Sequence, residues 1–411
     1  MLTARLSFMM FLQFFIWGGW FITLGTFLGN NLGASGKEIA MAFSTQSWGA
    51  IIAPFIIGLI ADRYFNAERV LGILHLVSAV LMFQLYHATN FVEFYPYVLA
   101  YMIFYMPTIA LVNSVSFRQM TDTAKQFPYI RVFGTIGWIA AVNLISLLSW
   151  DSEAGIAAGM LKNTFLMVAI ASALLGLYSF SLPKTPPQVK KTGKPRVSEV
   201  LGLDALKLLK DRNFLLFFIA SVLICIPLAF YYQNLSPFLT ESKVANSSSW
   251  TSVGQVSEVL FMLLLPIFFK RFGFKKTILL GMLAWAIRYV LFAYGDGGAL
   301  FFMVIVGIVL HGICYDFFFV SGQIYADSKA GEKHRSAVQG LITLATYGLG
   351  MLIGYGVAGL ISDAYVTGDG HEWKSVWLYP AGFAAVVLVL FSLSFKEEKQ
   401  QEGATLKHEA V

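Results

Sequence analysis

Charged residues are scarce in this chain. Its 411 residues include 29 basic and 23 acidic side chains, so 13% are charged, whereas a soluble protein carries about 25%. Hydrophobic residues make up 57% of the sequence. One or two soluble domains have no way to bury so much apolar surface, and a disordered chain needs far more polar residues. The composition therefore favours a membrane protein.

Motifs for covalent chemistry, metal binding or nucleotide binding are also missing from the sequence. The two cysteines, Cys225 and Cys314, lie in apolar segments and offer neither a disulfide framework nor a metal cluster. No Gly-Lys-Ser phosphate loop occurs, and no hydrolase motif stands out. We expect no cofactor, no resident metal, no ATP-driven step and no enzymatic activity.

Long apolar runs alternate with short polar breaks along the whole chain. Twelve membrane-crossing helices of about 20 residues need about 240 residues, which matches the apolar content. The predicted spans are 5–30, 38–61, 69–88, 94–117, 128–150, 157–182, 213–240, 250–270, 276–295, 298–326, 336–362 and 374–395. The fold class predicted from them is an all-α membrane protein with twelve transmembrane helices.

The basic residues divide unequally between the two sides of this arrangement. If both termini are cytoplasmic, the inner loops and termini hold 24 of the 29 lysines and arginines. The outer loops hold Lys37, Lys162, Lys243 and Lys374, and Arg288 lies within a span. Such an excess of cytoplasmic positive charge is typical of membrane proteins. The net charge of +6 is accordingly assigned to the membrane surface and not to a nucleic acid.

The chain divides into two halves around a basic segment. We predict a six-helix half over 1–182, a cytoplasmic linker over 183–212, a second six-helix half over 213–397 and a cytoplasmic tail over 398–411. Residues 200–210 alternate apolar residues and lysines at helical spacing, which predicts a short helix on the inner membrane surface. The linker is interpreted as a solvated tether or as a segment with a regulatory or lipid-specific role.

Polar residues inside the predicted spans form three stripes. A charged side chain in hydrocarbon costs a few kcal/mol, so such residues need a wet cavity or a partner. Residues that are three, four or seven positions apart share one face of a helix. The stripes are Arg131, Thr135 and Trp138; Gln255 and Glu258; and His311, Tyr315 and Asp316. We expect the three stripes to face one central cavity, in which Arg131 offsets the charge of Glu258 or Asp316.

Alternatives remain open for several of these residues. Arg131 lies near the end of its span and can extend to the interface instead. Arg288 is interpreted as a structural ion-pair partner, and His311 either lines the cavity or is a hydrogen-bonded packing residue. The short side chains of Glu258 and Asp316 lie too deep to reach the interface, so a role in the cavity is favoured for both.

The turn after the second span resembles a loop of the major facilitator superfamily. It contains Gly58, three further residues and then Asp62-Arg63, with Arg69 beyond, although Phe65-Asn66 stand where the pattern has its later glycine. In that superfamily the loop helps to hold the two halves in one conformation. The resemblance implies a gating role for Asp62 and Arg63, and an ordinary basic loop is the alternative.

Several interior segments resemble those of the nucleoside:proton symporters of bacteria, a branch of the same superfamily. The resemblance covers about residues 6–395. The segments are MPTIALVNS (106–114), FPYIRVFGTIGW (127–138), LGLDAL (201–206), GQVSEVLFM (254–262), KRFGFKK (270–276), HGICYDFFFVSG (311–322) and VQGLITL (338–344). The resemblance implies a major facilitator fold, proton-coupled nucleoside uptake and a central substrate site.

The site residues that the resemblance implies coincide with the three stripes. Substrate contacts are implied for Arg131, Thr135, Trp138, Gln255, Glu258, Tyr315 and Asp316. The sequence departs from the family pattern in two places. His311 replaces a tyrosine, and a pair of amides in the seventh span is matched by Ala229 and Tyr232, with Gln233 and Asn234 just beyond. We include His311, Gln233 and Asn234 among the candidate substrate-binding residues.

The function expected from these observations is proton-coupled nucleoside import across a bacterial inner membrane by a monomeric protein, with both termini in the cytoplasm. Asp316 or Glu258 is expected to carry the proton. Its partners are then the nucleoside, protons and the lipid bilayer. The alternative is a proton-coupled carrier of sugars or other nucleoside-like molecules, because Gln13, Trp17 and Trp138 also suit a sugar.

Overall fold

Helices form nearly all of the chain. The computed structural model describes residues 2–56, 65–121, 123–186, 203–368 and 370–396. The helices are α1 (Leu2–Phe21), α2 (Leu24–Leu32), α3 (Gly36–Ile56), α4 (Ala67–His87), α5 (Phe91–Arg118), α6 (Thr123–Leu147), α7 (Glu153–Ala157), α8 (Asn163–Ser179), α9 (Arg212–Glu241), α10 (Ser247–Tyr294), α11 (Phe301–Tyr315), α12 (Ser321–Thr343), α13 (Met351–Ala364) and α14 (Trp373–Ser394).

Shorter elements complete the description. Two short 3₁₀ helices, two π-helical segments and a two-stranded antiparallel hairpin connect or interrupt the long helices. They are Met160–Lys162, Leu203–Lys210, Asp316–Val320, Leu344–Gly350, and the strands β1 (Val366–Thr367) and β2 (Gly370–His371). The predicted surface helix over 200–210 therefore appears as a 3₁₀ helix over its described part.

Within the described ranges, ten helices are long and apolar enough to cross a membrane. One of them, α10, has 48 residues and, if straight, is about 72 Å long, more than twice the 30 Å of a bilayer core. The backbone of Gly273 (φ 73°, ψ 176°) leaves the helical region inside it. This is the turn predicted between 250–270 and 276–295, and glycine suits it because it adopts positive φ without a steric cost.

A second predicted turn, between 326 and 336, lies inside α12. Helical residues follow one another from Ser321 to Thr343 without a separate loop. However, Gln339 Nε2 donates to the carbonyl of Gln323 at 3.0 Å, whereas a straight helix separates residues 16 apart by about 24 Å. The chain therefore reverses direction within α12, as the span boundaries predicted.

Some predicted features lie outside the described residues. These are the Asp62-Arg63 turn, the end of the 38–61 span beyond residue 56, most of the linker up to residue 202, and the tail.

Two groups of helices pack within one continuous hydrophobic core. The helices α1, α3, α4, α5, α6 and α8 contact one another, and so do α9, α10, α11, α13 and α14. Contacts between the two halves join α2 to α9, α3 to α13 and α6 to α10. A site between the halves is therefore bounded by helices of both.

The polar contacts at the two ends of the bundle differ. At the basic end, where α1 and α9 begin, Arg5 donates to the carbonyl of Ser181 and Asn213 Nδ2 donates to that of Lys396 at 3.0 Å. Each of these bonds joins residues of the same half. At the far end, where α2 ends and α3 begins, Thr26 Oγ1 and Ser236 Oγ lie 2.6 Å apart and join the two halves.

Two carboxylates at the far end cap helices of the opposite half. Asp363 accepts hydrogen bonds from the backbone N–H groups of Gly36 (2.6 Å) and Lys37 (3.1 Å) at the start of α3. Asp151 accepts one from the N–H of Ser248 (2.8 Å) at the start of α10. A helix N-terminus carries unsatisfied N–H groups and a partial positive charge, so both contacts are favourable. We call Asp151 and Asp363 the carboxylate caps.

An exposed ion pair also joins the two halves at the far end. Lys243 Nζ donates to Glu153 Oε1 at 2.8 Å and joins the loops of the two halves. The hydrogen bond and the charge of Lys243 lower the pKa of Glu153, so the pair stays ionised at neutral pH. The pair is lost only as pH falls through that lowered value. The far end is thus held shut by contacts from both halves.

Candidate functional site

The first predicted stripe lies on α6, against α1. The Arg131 guanidinium stands over the ring of Phe14, 4.1 Å from its centroid. Gly134, one turn further along, leaves the space for this contact, because a Cβ there lies 2.7 Å from Arg131 Nη1 and from the Phe14 ring. Thr135, on the same stripe, is half-buried. Arg131 is thus half-buried against an aromatic face.

An aromatic wall continues this stripe. The Trp138 ring packs edge-on against Trp17, with the centroids 5.8 Å apart. Gly18 lets Trp138 approach α1, since a Cβ at Gly18 lies 2.9 Å from Trp138 Cγ. The indole Nε1 atoms of both tryptophans are buried without a hydrogen-bond partner among the described residues. The wall therefore offers a flat apolar face and two N–H donors.

The second stripe lies on α10 and belongs to the other half. Gln255 is buried and its Oε1 has no partner in the part of the chain that the structure describes. Glu258 is half-buried. No ion pair joins Arg131 to Glu258 or Asp316 among the described residues, and the offset of their charges stays a prediction.

Close packing of α10 on α11 places the third stripe next to the second. The Gly312 N–H donates to Ser257 Oγ at 3.1 Å, and a Cβ at Gly312 lies 2.5 Å from the Ser257 backbone. The two helices approach each other because Gly312 has no side chain. His311 and Tyr315, on either side of it along α11, are thereby brought beside Gln255 and Glu258.

Asp316 is the most unusual carboxyl group in the structure. It is fully buried, and neither carboxylate oxygen has a hydrogen-bond partner among the described residues. Asp316 is also the first residue of the π-helical segment Asp316–Val320. Buried polar groups are normally hydrogen-bonded, and π segments occur frequently at functional sites. Both features single out Asp316 as a candidate functional residue.

The other two residues of the third stripe have identified partners. Tyr315 Oη and Tyr347 Oη lie 2.9 Å apart, which links α11 to the π segment Leu344–Gly350. His311 Nδ1 lies 3.2 Å from Arg288 Nη1. Arg288 is fully buried and contacts no carboxylate within the described ranges, so its interpretation as a structural ion-pair partner is wrong.

The amide pair of α9 lies near the far end of the bundle. Asn234 Oδ1 accepts a hydrogen bond from Ser362 Oγ at 3.3 Å, and Gly25 packs on the carbonyl of Gln233. Both side chains are buried, and Gln233 Oε1 and Asn234 Nδ2 find no partner in the described chain. The structure thus places these two candidates where α2 and α13 meet α9.

Gln13 is occupied elsewhere. Its side chain donates to Thr108 Oγ1 at 2.7 Å and bonds His75 Nε2 at 2.9 Å, in the core of the first half. Gln13 is fully buried there. Both polar atoms of the Gln13 side chain are therefore hydrogen-bonded within the first half, and neither is free to bind a sugar.

Other polar and aromatic groups near the site were not among the candidate residues. Tyr232 packs against Phe21 of the other half (5.8 Å between centroids), and Tyr355 Oη donates to Gln46 Oε1 at 2.7 Å. Tyr347 completes this group through its contact with Tyr315. The sequence gives little sign of Tyr347 and Tyr355, because they lie in a glycine-rich apolar run that predicts only close helix packing.

The arrangement suits a flat, neutral, polar ligand. It combines aromatic faces, unpartnered amide and indole groups, and the carboxyl groups of Glu258 and Asp316. The described residues contain no group of three metal-ligating side chains.

Comparison with known proteins identifies the family. A family profile described as "Nucleoside H+ symporter" matches residues 1–400. The chain belongs to the nucleoside H+ symporter family. It is therefore a multi-pass membrane transporter with a major facilitator fold, and not an enzyme.

Three Escherichia coli K12 proteins are similar over nearly their whole length. The "Putative nucleoside transporter YegT" is 43% identical over 97% of this chain and 95% of its own. The "Xanthosine permease" is 35% identical over 100% and 99%, and the "Nucleoside permease NupG" is 30% identical over 96% and 96%.

Solved structures agree with this assignment. The crystal structure of nucleoside transporter NupG has a TM-score of 0.83 at 30% identity, and covers 97% of this chain and 100% of its own. The POT family transporter PepTSo is only 14% identical, with a TM-score of 0.72 over 95% and 97% of the two chains. That likeness concerns the fold alone.

Proposed function

We propose that the protein imports nucleosides together with protons, through twelve membrane spans, by alternating exposure of one site between its two halves. Family membership supports nucleosides as the substrate. The observation that carries the coupling is Asp316, a fully buried carboxyl group without a hydrogen-bond partner among the described residues. Such a group is stable in hydrocarbon when it is protonated, so its loading and unloading can be linked to movement of the site.

The ligand contacts proposed are those of a neutral nucleoside. Trp138 or Tyr315 stacks on the base, a contact worth about 1–3 kcal/mol in nucleic-acid systems. Gln255, Asn234 and Thr135 supply hydrogen bonds to the edges of the base and to the ribose.

Coupling is assigned to the chain of charges across the site. Its members are Arg131 on α6, Glu258 on α10 and Asp316, which follows directly on α11. Because two close carboxylates repel each other, a proton on either one relieves the repulsion. Binding of a proton and release of the ligand then favour different states of the protein, one open to each side of the membrane. In this way a symporter links the movement of protons to that of the substrate.

The side to which the site opens follows from the closed far end. We assign the basic end, with both termini, to the cytoplasm of a bacterial inner membrane, because 24 of the 29 basic residues lie on that side of the predicted spans. The structure then corresponds to the state that is closed to the outside. The carboxylate caps Asp151 and Asp363 open in the alternate state.

Substrate competition in proteoliposomes tests the proposal. With an inward proton gradient, labelled uridine or adenosine should accumulate, and a protonophore should abolish accumulation. Unlabelled nucleosides should compete best. Nucleobases and pentoses should compete about 5- to 150-fold less well, because each leaves a buried group unpaired. Failure of every nucleoside together with competition by a hexose rejects the proposal and favours the sugar carrier.

A further inference from the structure

Arg288 is a buried cation that the central site does not explain. Its guanidinium lies 3.7 Å from the centroid of the Tyr231 ring, and the residue is fully buried. Its Nε and Nη2 atoms have no hydrogen-bond partner among the described residues. A charge kept inside a membrane protein at such a cost is normally there for function.

The contact between Arg288 and His311 fixes a proton. Arg288 Nη1 lies 3.2 Å from His311 Nδ1. A guanidinium has only donors, so Nδ1 must accept and carries no proton. The imidazole is then neutral, and its one N–H is on Nε2. The structure thus selects one of the two neutral tautomers of His311.

The rest of the imidazole is also held in place. Its ring stacks on Tyr231 (5.1 Å between centroids, 18° between planes) and lies 5.7 Å from the ring of Tyr315. Nε2 makes no hydrogen bond with any residue that the structure describes. His311 keeps 2% of its surface exposed, whereas Arg288 keeps none.

We propose that Arg288 is a positioning residue that holds His311 as the Nε2–H tautomer, so that His311 donates a hydrogen bond to the substrate and never accepts one. The proposal rests on the proposed function for the identity of the substrate. It assigns to His311 an acceptor atom of the nucleoside: a carbonyl oxygen or ring nitrogen of the base, or a ribose oxygen.

The fixed tautomer of His311 gives the site a basis for selecting among nucleosides. An imidazole that is free to change its tautomer can either donate or accept through Nε2. A His311 ring locked by Arg288 only donates. Nucleosides that present an N–H or NH₂ group at this point therefore leave two donors facing each other, which disfavours binding.

The first test measures the tautomer without any substrate. The full-length protein, labelled with ¹⁵N-histidine and placed in lipid nanodiscs, is examined by NMR at neutral pH. The His311 signals are identified by their absence in His311→Asn. A lone-pair nitrogen at Nδ1 and an N–H at Nε2 are expected. In Arg288→Met the Nδ1–H form should appear, whereas Arg288→Lys keeps a donor and should restore the wild-type pattern.

The control variant is Arg271→Met, which removes an exposed arginine far from His311 and should leave the tautomer unchanged. Thermal unfolding of each variant identifies any that fail to fold, and Arg288→Lys then carries the test. An Nδ1–H or doubly protonated His311 in the wild type overturns the proposal. So does a wild-type tautomer in folded Arg288→Met.

The second test measures nucleoside binding by the purified protein. His311→Phe removes the donor and should weaken binding about 5- to 150-fold. Arg288→Met should weaken it less, by the reciprocal of the Nε2–H fraction that remains. In the His311→Phe background, Arg288→Met should change affinity by no more than about twofold, because Arg288 acts through His311. Equal, additive losses overturn the proposal.

The two tests separate the inference from the proposed function. A wild-type protein that binds no nucleoside but shows the expected tautomer contradicts the substrate and leaves the role of Arg288 supported. A protein that binds nucleosides with the wrong tautomer supports the substrate and overturns the inference.

Discussion

At the scale of single residues, two fully buried polar side chains differ in the hydrogen bonds that the protein gives them. Gln13 and Asp316 are both fully buried polar residues inside predicted spans. Gln13 is hydrogen-bonded to His75 and Thr108, whereas neither carboxylate oxygen of Asp316 is bonded to a described residue. The sequence alone does not distinguish the two residues, because helical spacing predicts which face of a helix a residue lies on and not which partners it contacts there.

The first prediction concerns Asp316. Asp316→Asn resembles the protonated carboxyl group permanently, so it should keep substrate binding or lose it modestly and should abolish accumulation driven by a proton gradient. Counterflow of labelled nucleoside should survive, because exchange needs no net proton movement. Glu258→Gln, measured in parallel, is the comparison. Continued accumulation by Asp316→Asn contradicts the assignment and transfers the proton to Glu258.

The second prediction concerns Gly134. In Gly134→Ala the new Cβ falls 2.7 Å from Arg131 Nη1 and the Phe14 ring, so the guanidinium must move. Nucleoside affinity should fall by at least about fivefold, which is the effect of one lost buried hydrogen bond.

A matched control exists for this change. Gly356, in α13, has open space around its Cβ position, and Gly356→Ala should leave affinity unchanged and stabilise the helix by about 0.5–1 kcal/mol. Binding isotherms and thermal unfolding check both variants. Wild-type affinity in Gly134→Ala contradicts a binding role for the position of Arg131.

At the scale of helices, the turns were predicted and the π segments were not. The KRFGFKK turn contains Gly273 with its positive φ, and the reversal within α12 falls where charged residues interrupt the apolar run. By contrast, the composition predicts ordinary apolar helix over Asp316–Val320 and Leu344–Gly350. A π-helical turn contains about one residue more than an α-helical turn, and this difference has no compositional signature. The pairing of Tyr315 with Tyr347 depends on both segments and so escaped prediction.

The third prediction concerns the carboxylate caps. Asp151→Asn and Asp363→Asn each keep an oxygen that accepts a hydrogen bond but remove the charge that the helix N-terminus favours, an effect of about 0.3–1 kcal/mol. Each change should shift the equilibrium about 2- to 5-fold toward opening at the far end. Electron–electron distances between spin labels at positions 162 and 298, one in each half, should lengthen accordingly.

A cap within one half provides the comparison. Glu93 accepts hydrogen bonds from the N–H and hydroxyl of Thr89 at the start of α5, and both residues belong to the first half. Glu93→Gln should leave the spin-label distances unchanged. An unchanged distance distribution in both Asp151→Asn and Asp363→Asn contradicts their role in closure.

At the scale of the whole molecule, more of the structure could be predicted from the sequence than at the scale of residues or helices. The apolar runs predicted the helices, and the family was recognised from seven interior segments. The closure of the far end was beyond prediction, because it joins residues as distant as Gly36 and Asp363. Which side of the membrane the closed end faces depends on the direction in which the chain crosses the bilayer.

The fourth prediction tests that direction. Cysteines placed at Lys162 and Arg271 lie at the far end and the basic end, and both positions are exposed. In intact cells an impermeant thiol reagent should label Lys162→Cys and spare Arg271→Cys, and in broken cells it should label both. The native Cys225 and Cys314 are fully buried and should contribute little background. Labelling of Arg271→Cys from outside contradicts the proposed orientation.

The carboxylate caps also tie the conformational equilibrium to the activity of water. When the halves part, the N–H groups of Gly36, Lys37 and Ser248 and the carboxylates that they bind lose each other and need water instead. Opening at the far end therefore takes up water. Osmolytes that are excluded from protein surfaces should favour the state with the smaller hydrated surface. Raising their concentration outside should shorten the time that the site spends open to that side and slow uptake, even when substrate is saturating.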